Sequence, residues 1–232
     1  MRPGRLAWTL LIAAYFLVFS RNFFADALPG ASLLSVLYSW VFVIWLSVEY
    51  CYGSPFFQSG VVEPSALWRG VFAFFVYPFL GYLVGDFGWW GWTQLPVPAA
   101  VSWFPGMALF LAGTALRLLT LVELVRGARA AGKAGRGSAR TILDTWFFRH
   151  CRHPRYLATF IQLVGSALVF NSWGGLVLAG TVGLGLILLQ VRHEDAALAR
   201  LFKAEFRGYA ERVPMLWPRL RGQRAGSSTT SR

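Results

Sequence analysis

The feature that most constrains the fold is a long apolar stretch, Leu157–Val191, which is too long for one membrane crossing. As a single helix it would extend roughly 50 Å, whereas one crossing takes roughly 20 mostly apolar residues. Turn-forming residues interrupt the stretch at Asn171–Gly175. The stretch is therefore predicted to fold as a tight helical hairpin with two short arms.

The rest of the chain repeats this apolar character. Four further apolar stretches precede the hairpin: Leu6–Ser20, Ala31–Val48, Gly70–Val84 and Pro105–Val125. Hydrophobic residues make up 56% of the chain and charged residues only 14%, which is outside the balance of soluble domains. The predicted fold class is an all-α integral membrane protein with about six transmembrane helices, including the C-terminal hairpin.

The basic residues predict a topology. The net charge of +12 is concentrated between Arg126 and Arg155 and from Arg192 onwards, whereas Gly85–Val101 holds no Lys or Arg. Under the positive-inside rule, both termini are predicted to lie in the cytoplasm, with the protein in the cell (inner) membrane. Because these charges flank membrane helices, nucleic-acid binding is not expected.

Two further sequence features bear on this topology. Leu6–Ser20 has the basic start and apolar core of a signal peptide, but Arg21 interrupts it, so we expect the helix to be retained. Cys51 and Cys151 both fall on the side assigned to the reducing cytoplasm, so no disulfide is expected. Cys151 has no positioned base beside it and is interpreted as a packing residue.

A polar elbow leads into the hairpin, in the run Arg152-His153-Pro154-Arg155-Tyr156. Pro154 disfavours helical geometry at the preceding residue and suits the first turn of a helix. The first two residues of the run are therefore predicted to form an extended elbow. Free backbone N–H groups at the start of the next helix predict an anion site there.

An acidic pair, Glu194-Asp195, follows the hairpin and is predicted to return to the same side as the elbow. After it comes a predicted amphipathic helix on the cytoplasmic side, with apolar Leu198, Leu201, Phe202 and Phe206 facing the membrane surface or the bundle. The hairpin thus brings the elbow and the acidic pair together.

Simpler interpretations of these charges remain open. Arg149, Arg152 and Arg155 could be interfacial anchors, and the acidic pair could merely form ion pairs with Arg192 or Arg200.

Arg117 is a separate candidate, because it lies about 13 Å into the membrane from Arg126 and has no acidic partner on its own helix face. Buried ionisable residues in membrane helices are functional candidates by default. We expect Arg117 to meet an anionic ligand group or Asp195. The alternative is a structural pair between helices.

Taken together, three motifs resemble the isoprenylcysteine carboxyl methyltransferase family and related membrane phospholipid and thiol methyltransferases. They are the run Arg152–Leu157, the pair Glu194-Asp195 with Leu198, and the ending Val213-Pro214 with Pro218. The resemblance covers roughly residues 106–220. It implies an integral membrane enzyme that transfers a methyl group from S-adenosylmethionine to a lipid-borne acceptor.

The resemblance also implies roles for individual residues. His153, Pro154, Tyr156 and Leu157 would line the cofactor pocket, and Glu194 would hold the polar groups of the cofactor. Arg152 would face the acceptor carboxylate, and Asp195 stands where the family usually has a second glutamate. Three departures are notable: Trp146-Phe147-Phe148 stands in place of Gly-Pro-Tyr, Ala158 lies near a usual glycine, and Lys203 replaces a glycine after Phe202.

The chemistry agrees with these residue types but does not choose the acceptor. A carboxylate, with a pKa of roughly 4, is already anionic and needs only a cation and a dry site. An amine would need a base, for which His153 or His193 are candidates. On this reading residues 1–104 shape the acceptor site, 105–221 form the methyltransferase-like core, and 222–232 are a disordered tail.

The sequence is also compatible with two other functions. The runner-up is an NADPH-dependent membrane reductase of the sterol or steroid type, and the third is a non-catalytic integral membrane protein. No metal is expected, because His150, His153 and His193 form no closed ligand set with Glu194. The partners expected are a lipid or prenylated small-molecule acceptor and membrane lipid. The sequence leaves the acceptor's identity and the oligomeric state open.

Overall fold

The computed structural model describes residues 37–45, 66–133, 142 and 146–217. Regular structure within these ranges is helical, as predicted, and extended pairing is limited there to an isolated bridge between Gln94 and Ser172. Leu6–Ser20 lies outside the described residues, and of Ala31–Val48 only 37–45 are described, as helix.

Beyond the helical residues 37–45, the described chain contains five α-helices: α1 Ala66–Gly85, α2 Ala99–Lys133, α3 Pro154–Val169, α4 Trp173–Leu178 and α5 Leu184–Arg212. Single π-helical turns follow α1 and α4, at Asp86–Trp90 and Ala179–Gly183, and a short 3-10 helix, Trp146–Arg149, precedes α3. The predicted boundary between residues 104 and 105 falls inside α2.

The predicted hairpin is confirmed, since α3 ends at Val169 and α4 begins at Trp173. Asn171 turns the chain with a positive φ of 54°, and its side-chain amide donates to the carbonyls of Leu95 and Val97 at 3.3 and 3.2 Å. The Ser172 hydroxyl caps α4 by accepting from the Gly175 N–H at 3.1 Å. Local turn residues therefore reverse the chain where the sequence predicts it.

Two helical segments in the described part of the chain are long and apolar enough to cross a membrane. They are Ala99–Gly127 and Trp173–Arg212, the second formed by α4, its π turn and α5 in direct continuation. These spans support a membrane location by length and composition. The count of about six crossings and the side of the termini stay predictions.

The predicted amphipathic helix is the distal part of α5 rather than a separate element. The helix bends at Lys203, whose backbone leaves helical geometry at φ 46° and ψ −113°. Beyond the bend, a small apolar cluster forms from Phe206, Tyr209 and Val213, with Ile142, Leu198 and Phe202 packed against it. Leu201 is about half exposed, so it does not share in this cluster.

Glycines let α2 and α3 approach closely. A Cβ added at Gly165 would stand 2.7 Å from the Phe110 backbone nitrogen, and one at Gly113 would stand 2.8 Å from the Ala158 carbonyl oxygen. Larger residues at either position would push the helices apart. This contact fixes α3, and with it the elbow at its start, against the long spanning helix α2.

The turn end of the hairpin is closed by a buried carboxylate, Asp86, which is fully buried. It accepts hydrogen bonds from the Thr93 N–H at 3.0 Å, the Thr93 hydroxyl at 2.5 Å and the Ser172 hydroxyl at 3.0 Å. Burial by itself raises the pKa of Asp86, but these bonds outweigh burial and hold the pKa below its ordinary value.

Exposed tryptophans ring this same end of the bundle, as is common where a membrane protein meets the interface. They are Trp89, Trp90, Trp92 and Trp173.

Candidate active site

The elbow forms as predicted and is held by the segment that follows α5. His153 lies outside helical geometry at φ −125° and ψ 60°, and Pro154 occupies the first turn of α3. The Arg152 N–H donates to the Pro214 carbonyl at 2.9 Å, and the His153 N–H donates to the Met215 carbonyl at 3.2 Å. The run that begins at Arg152 and the ending around Pro214, which the sequence pattern groups together, are therefore in direct backbone contact.

Four amides at the start of α3, where the anion site was predicted, are bonded within the chain. The Arg152 and His153 amides are already used, and those of Tyr156 and Leu157 both donate to the His153 carbonyl, at 3.1 and 3.2 Å. Pro154 has no N–H. The anion site at the start of α3 stays a prediction.

The hairpin brings the acidic pair to the elbow, as predicted. Asp195 uses both carboxylate oxygens: Oδ2 lies 2.7 Å from Arg152 Nη1, and Oδ1 lies 2.7 Å from His153 Nε2. The expected alternative of an ion pair with Arg192 or Arg200 is thus replaced by a bridge between the two elbow side chains. Charge-assisted bonds of this kind orient both partners.

Glu194 lies deeper than Asp195 and is 3% exposed. Its Oε2 is 3.8 Å from His153 Nδ1, so the imidazole lies between two carboxylates. The Tyr156 ring packs beside the His153 ring at 5.9 Å, and the Tyr156 hydroxyl lies beside Gln190 and Glu194. Pro154 and Leu157 are buried next to them in α3.

The elbow arginines differ in burial, which decides between anchor and site. Arg149 is exposed and fits an interfacial anchor. Arg155 is buried, and the Arg152 side chain is only 14% exposed, with its guanidinium over the Phe206 ring at 5.8 Å. Arg152 and Arg155 are therefore not surface anchors.

Arg117 is buried in the bundle, as predicted, and is 1% exposed. It donates to the Thr159 hydroxyl and, at 3.3 Å, to the Arg155 carbonyl, and its guanidinium lies 5.7 Å from the centre of the Trp45 ring. These contacts join α2 to α3. A role of Arg117 toward a ligand stays a prediction.

Cys151 behaves as a packing residue. It is buried, its Sγ lies 3.0 Å from the Leu216 carbonyl oxygen, and burial raises the pKa of its thiol to about 11. The thiol is therefore neutral near pH 7 and is a poor nucleophile. Cys51 lies outside the described residues.

Sequence reasoning missed Gln190 at this site. Its side chain is 4% exposed and lies one helical turn before Glu194 on the same face of α5. The signal was available, because a glutamine inside an apolar run four residues before an acidic residue marks the inward face of the helix.

Not every buried polar atom at the site is hydrogen-bonded within the described structure. Arg152 Nε and Gln190 Oε1 are buried and have no hydrogen-bond partner among the described residues. Buried polar atoms are normally bonded, so such exceptions require an explanation. Within the described ranges no cluster of three or more His, Cys, Asp or Glu could hold a metal ion.

Comparison with known proteins covers the same part of the chain. Residues 101–205, which include Arg117, the elbow and the acidic pair, match the phospholipid methyltransferase family. The nickel-cobalt-cadmium resistance protein NccN of Alcaligenes xylosoxydans xylosoxydans is 36% identical over 90 residues, which are 38% of this chain and 40% of that protein. The match thus spans less than half of the relative's length. No solved structure matches the chain.

Proposed function

Because residues 101–205 carry the pattern of a membrane methyltransferase family, we propose that this protein transfers a methyl group from S-adenosylmethionine to a lipid-borne acceptor. The observation that carries the proposal is the Asp195 carboxylate, which joins Arg152 and His153 at 2.7 Å each beside the buried Glu194. Charged groups that are ordered, mostly buried and adjacent to orphaned polar atoms are typical of a site rather than of an anchor.

The residues present fit the cofactor. S-adenosylmethionine supplies a methyl group on a sulfonium, and it also carries an ammonium, ribose hydroxyls and an adenine. Glu194 is the residue that would accept bonds from its ammonium or hydroxyls. His153, Pro154, Tyr156 and Leu157 would line the pocket, and three of them are largely apolar and buried, which excludes water.

The first proposed acceptor is the carboxylate of an isoprenylcysteine-like lipid. Arg152 is the cation that would orient it, since the Nε edge of its guanidinium is free of hydrogen bonds within the described structure while Nη1 is held by Asp195. A carboxylate is a nucleophile without losing a proton, so orientation and desolvation are what this chain would contribute. Arg117, buried on α2, is proposed to contribute positive charge to the same interior.

A lipid amine is the second candidate, and the position of His153 favours it. With Nε2 bonded to Asp195, the Nδ1 atom is left to accept a proton from an ammonium headgroup before methyl transfer. The family match to phospholipid methyltransferases supports a lipid substrate for either candidate.

The cofactor is tested by calorimetric titration of the detergent-purified protein with S-adenosylhomocysteine and with NADPH. We expect S-adenosylhomocysteine to bind and Glu194→Ala to weaken the binding at least tenfold. Glu205→Ala, an exposed glutamate on the same helix, is the matched control and should bind normally. NADPH binding alone would indicate the reductase, and binding of neither would indicate a non-catalytic protein.

The two acceptors are separated by the stability of their products. Methyl transfer to a carboxylate gives an ester, which alkali hydrolyses to volatile methanol, whereas an N-methyl group resists alkali. Incubation with radiolabelled S-adenosylmethionine and either a prenylcysteine analogue or phosphatidylethanolamine vesicles therefore distinguishes them. Label in neither lipid would remove both acceptors.

A further inference from the structure

We propose that Gln190 and Glu194 together form the binding site for an ammonium group of the bound ligand. This inference rests on the proposed function and adds a residue to it. Gln190 lies outside the three motifs described in the sequence, and its burial beside Tyr156 and Glu194 places it at the site.

Gln190 is deeply buried, and its side-chain oxygen is unbonded within the described structure. Its side chain is 4% exposed, and its Oε1 has no hydrogen-bond partner among the described residues. A buried amide oxygen left without a bond costs free energy, and more so within a membrane bundle. Because Gln190 lies four residues before Glu194 in α5, both side chains lie on one face of the helix.

The groups around Gln190 and Glu194 determine which ligand chemistry fits there. The Tyr156 hydroxyl lies beside both Gln190 and Glu194, so the three groups line one corner of the site. An amide oxygen and a carboxylate only accept hydrogen bonds, and a ligand that satisfies both must donate. An ammonium donates three bonds and brings the compensating charge.

The charges of Asp195 and Glu194 are compensated to different extents. Arg152 lies 2.7 Å from Asp195 and neutralises its charge. Asp195 is also bonded to His153, at 2.7 Å. Glu194 is more deeply buried and accepts a hydrogen bond from the neutral Tyr156 hydroxyl, while His153 Nδ1 lies 3.8 Å away, beyond hydrogen-bond distance. A buried carboxylate whose ion-pair partner is so distant favours an added cation.

Two sources could supply this ammonium: the amino-acid part of the cofactor, or the amine headgroup of a lipid acceptor. They share the same donor chemistry at Gln190. The test therefore compares S-adenosylhomocysteine, which has the ammonium, with 5′-methylthioadenosine, which lacks it, and measures phosphatidylethanolamine binding separately.

The experiment is calorimetric titration of Gln190→Leu, Gln190→Glu and wild type, with unfolding midpoints recorded for each. Gln190→Leu should lose about tenfold or more in affinity for S-adenosylhomocysteine and nothing for 5′-methylthioadenosine. Gln190→Glu should bind S-adenosylhomocysteine at least as well as wild type. Gln162→Leu is the matched control, because Gln162 is also buried with an orphaned Oε1 but lies on α3 facing Thr114.

Each outcome is decisive. An effect confined to phosphatidylethanolamine would support the ammonium site and assign it to the lipid. Equal losses for both nucleosides, or no loss with any of the three probes, would overturn the proposal and leave Gln190 as a packing residue. If wild type binds S-adenosylhomocysteine and Gln190→Leu binds it equally, with lipid binding unchanged, only this inference fails. If wild type binds no probe, the proposed function fails with it.

Discussion

The two ends of the hairpin each bury carboxylate groups, but in different chemical surroundings. At the turn end, Asp86 accepts all its bonds from neutral donors that come from nearby loops. At the elbow end, Asp195 and Glu194 meet Arg152 and His153, and two orphaned polar atoms lie close by. A carboxylate whose oxygens are all bonded to neutral donors has a structural role. A carboxylate among charged groups and unbonded polar atoms can still bind a ligand.

The difference predicts opposite consequences of mutation at the two ends. Loss of the turn-end carboxylate should affect folding without affecting ligand binding. Loss of an elbow-end carboxylate should affect ligand binding and methyl transfer more than folding.

The largest expected effect is that of Asp195→Ala on methyl transfer. Removing the shared anchor of Arg152 and His153 should misplace both side chains and lower the rate about a hundredfold. The measurement is transfer of radiolabelled methyl into membrane lipid, with the thermal unfolding midpoint recorded alongside. A variant that keeps its rate within threefold would show that the bridge has no role in the reaction.

The next effect is that of Asp86→Ala on stability. It leaves the Thr93 N–H and the hydroxyls of Thr93 and Ser172 without their acceptor, so the free energy of unfolding should fall by about 3 kcal/mol. Denaturant titration in detergent measures it. The affinity of the folded fraction for S-adenosylhomocysteine should be unchanged, and a large loss of affinity would contradict the separation of the two ends.

A smaller effect appears at low pH. Because hydrogen bonds hold the pKa of Asp86 below its ordinary value, the stabilisation is present above the ordinary value of about 3.9 and is lost as the pH falls through the lowered one. The unfolding midpoint of wild type should therefore drop below about pH 4 more steeply than that of Asp86→Asn. Parallel curves for the two proteins would argue against the effect.

The smallest effect is a gain of stability from Lys203→Gly. Lys203 holds a positive φ of 46°, which glycine adopts without strain, so the substitution should stabilise the protein by about 1 kcal/mol. Lys203→Ala keeps the strained backbone and is the matched control. Equal midpoints for the two variants would show that the bend carries no strain.

The sequence predicted the local elements of the fold well. The hairpin turn follows from Asn171, Ser172 and the glycines after them, and the elbow follows from Pro154, because these residues restrict their own backbone. The juxtaposition of Glu194 and Asp195 with Arg152 and His153 followed from the hairpin. Two departures from the family pattern also gain a structural meaning, since Trp146 and Lys203 replace glycines and both have positive φ.

What the sequence did not predict depends on contacts between distant segments. The amides of Arg152 and His153 looked free, but Pro214 and Met215 accept their bonds, and no local pattern specifies that pairing. Gln190 was missed although its spacing from Glu194 marks an inward face, because only the contact with Tyr156 of α3 shows that it belongs to the site. The packing of Ile142 against the helix beyond the bend at Lys203 is likewise a contact between distant segments.

The π-helical turn Ala179–Gly183 has a consequence for the direction in which the acidic side chains face. One extra residue in a helix rotates every residue after it by about 100° around the axis. Deleting a single residue from this turn would restore regular α-helical bonding, yet it would swing Gln190 and Glu194 away from His153. The orientation of the charged groups is thus determined by the backbone register of the π turn before α5, far from the elbow.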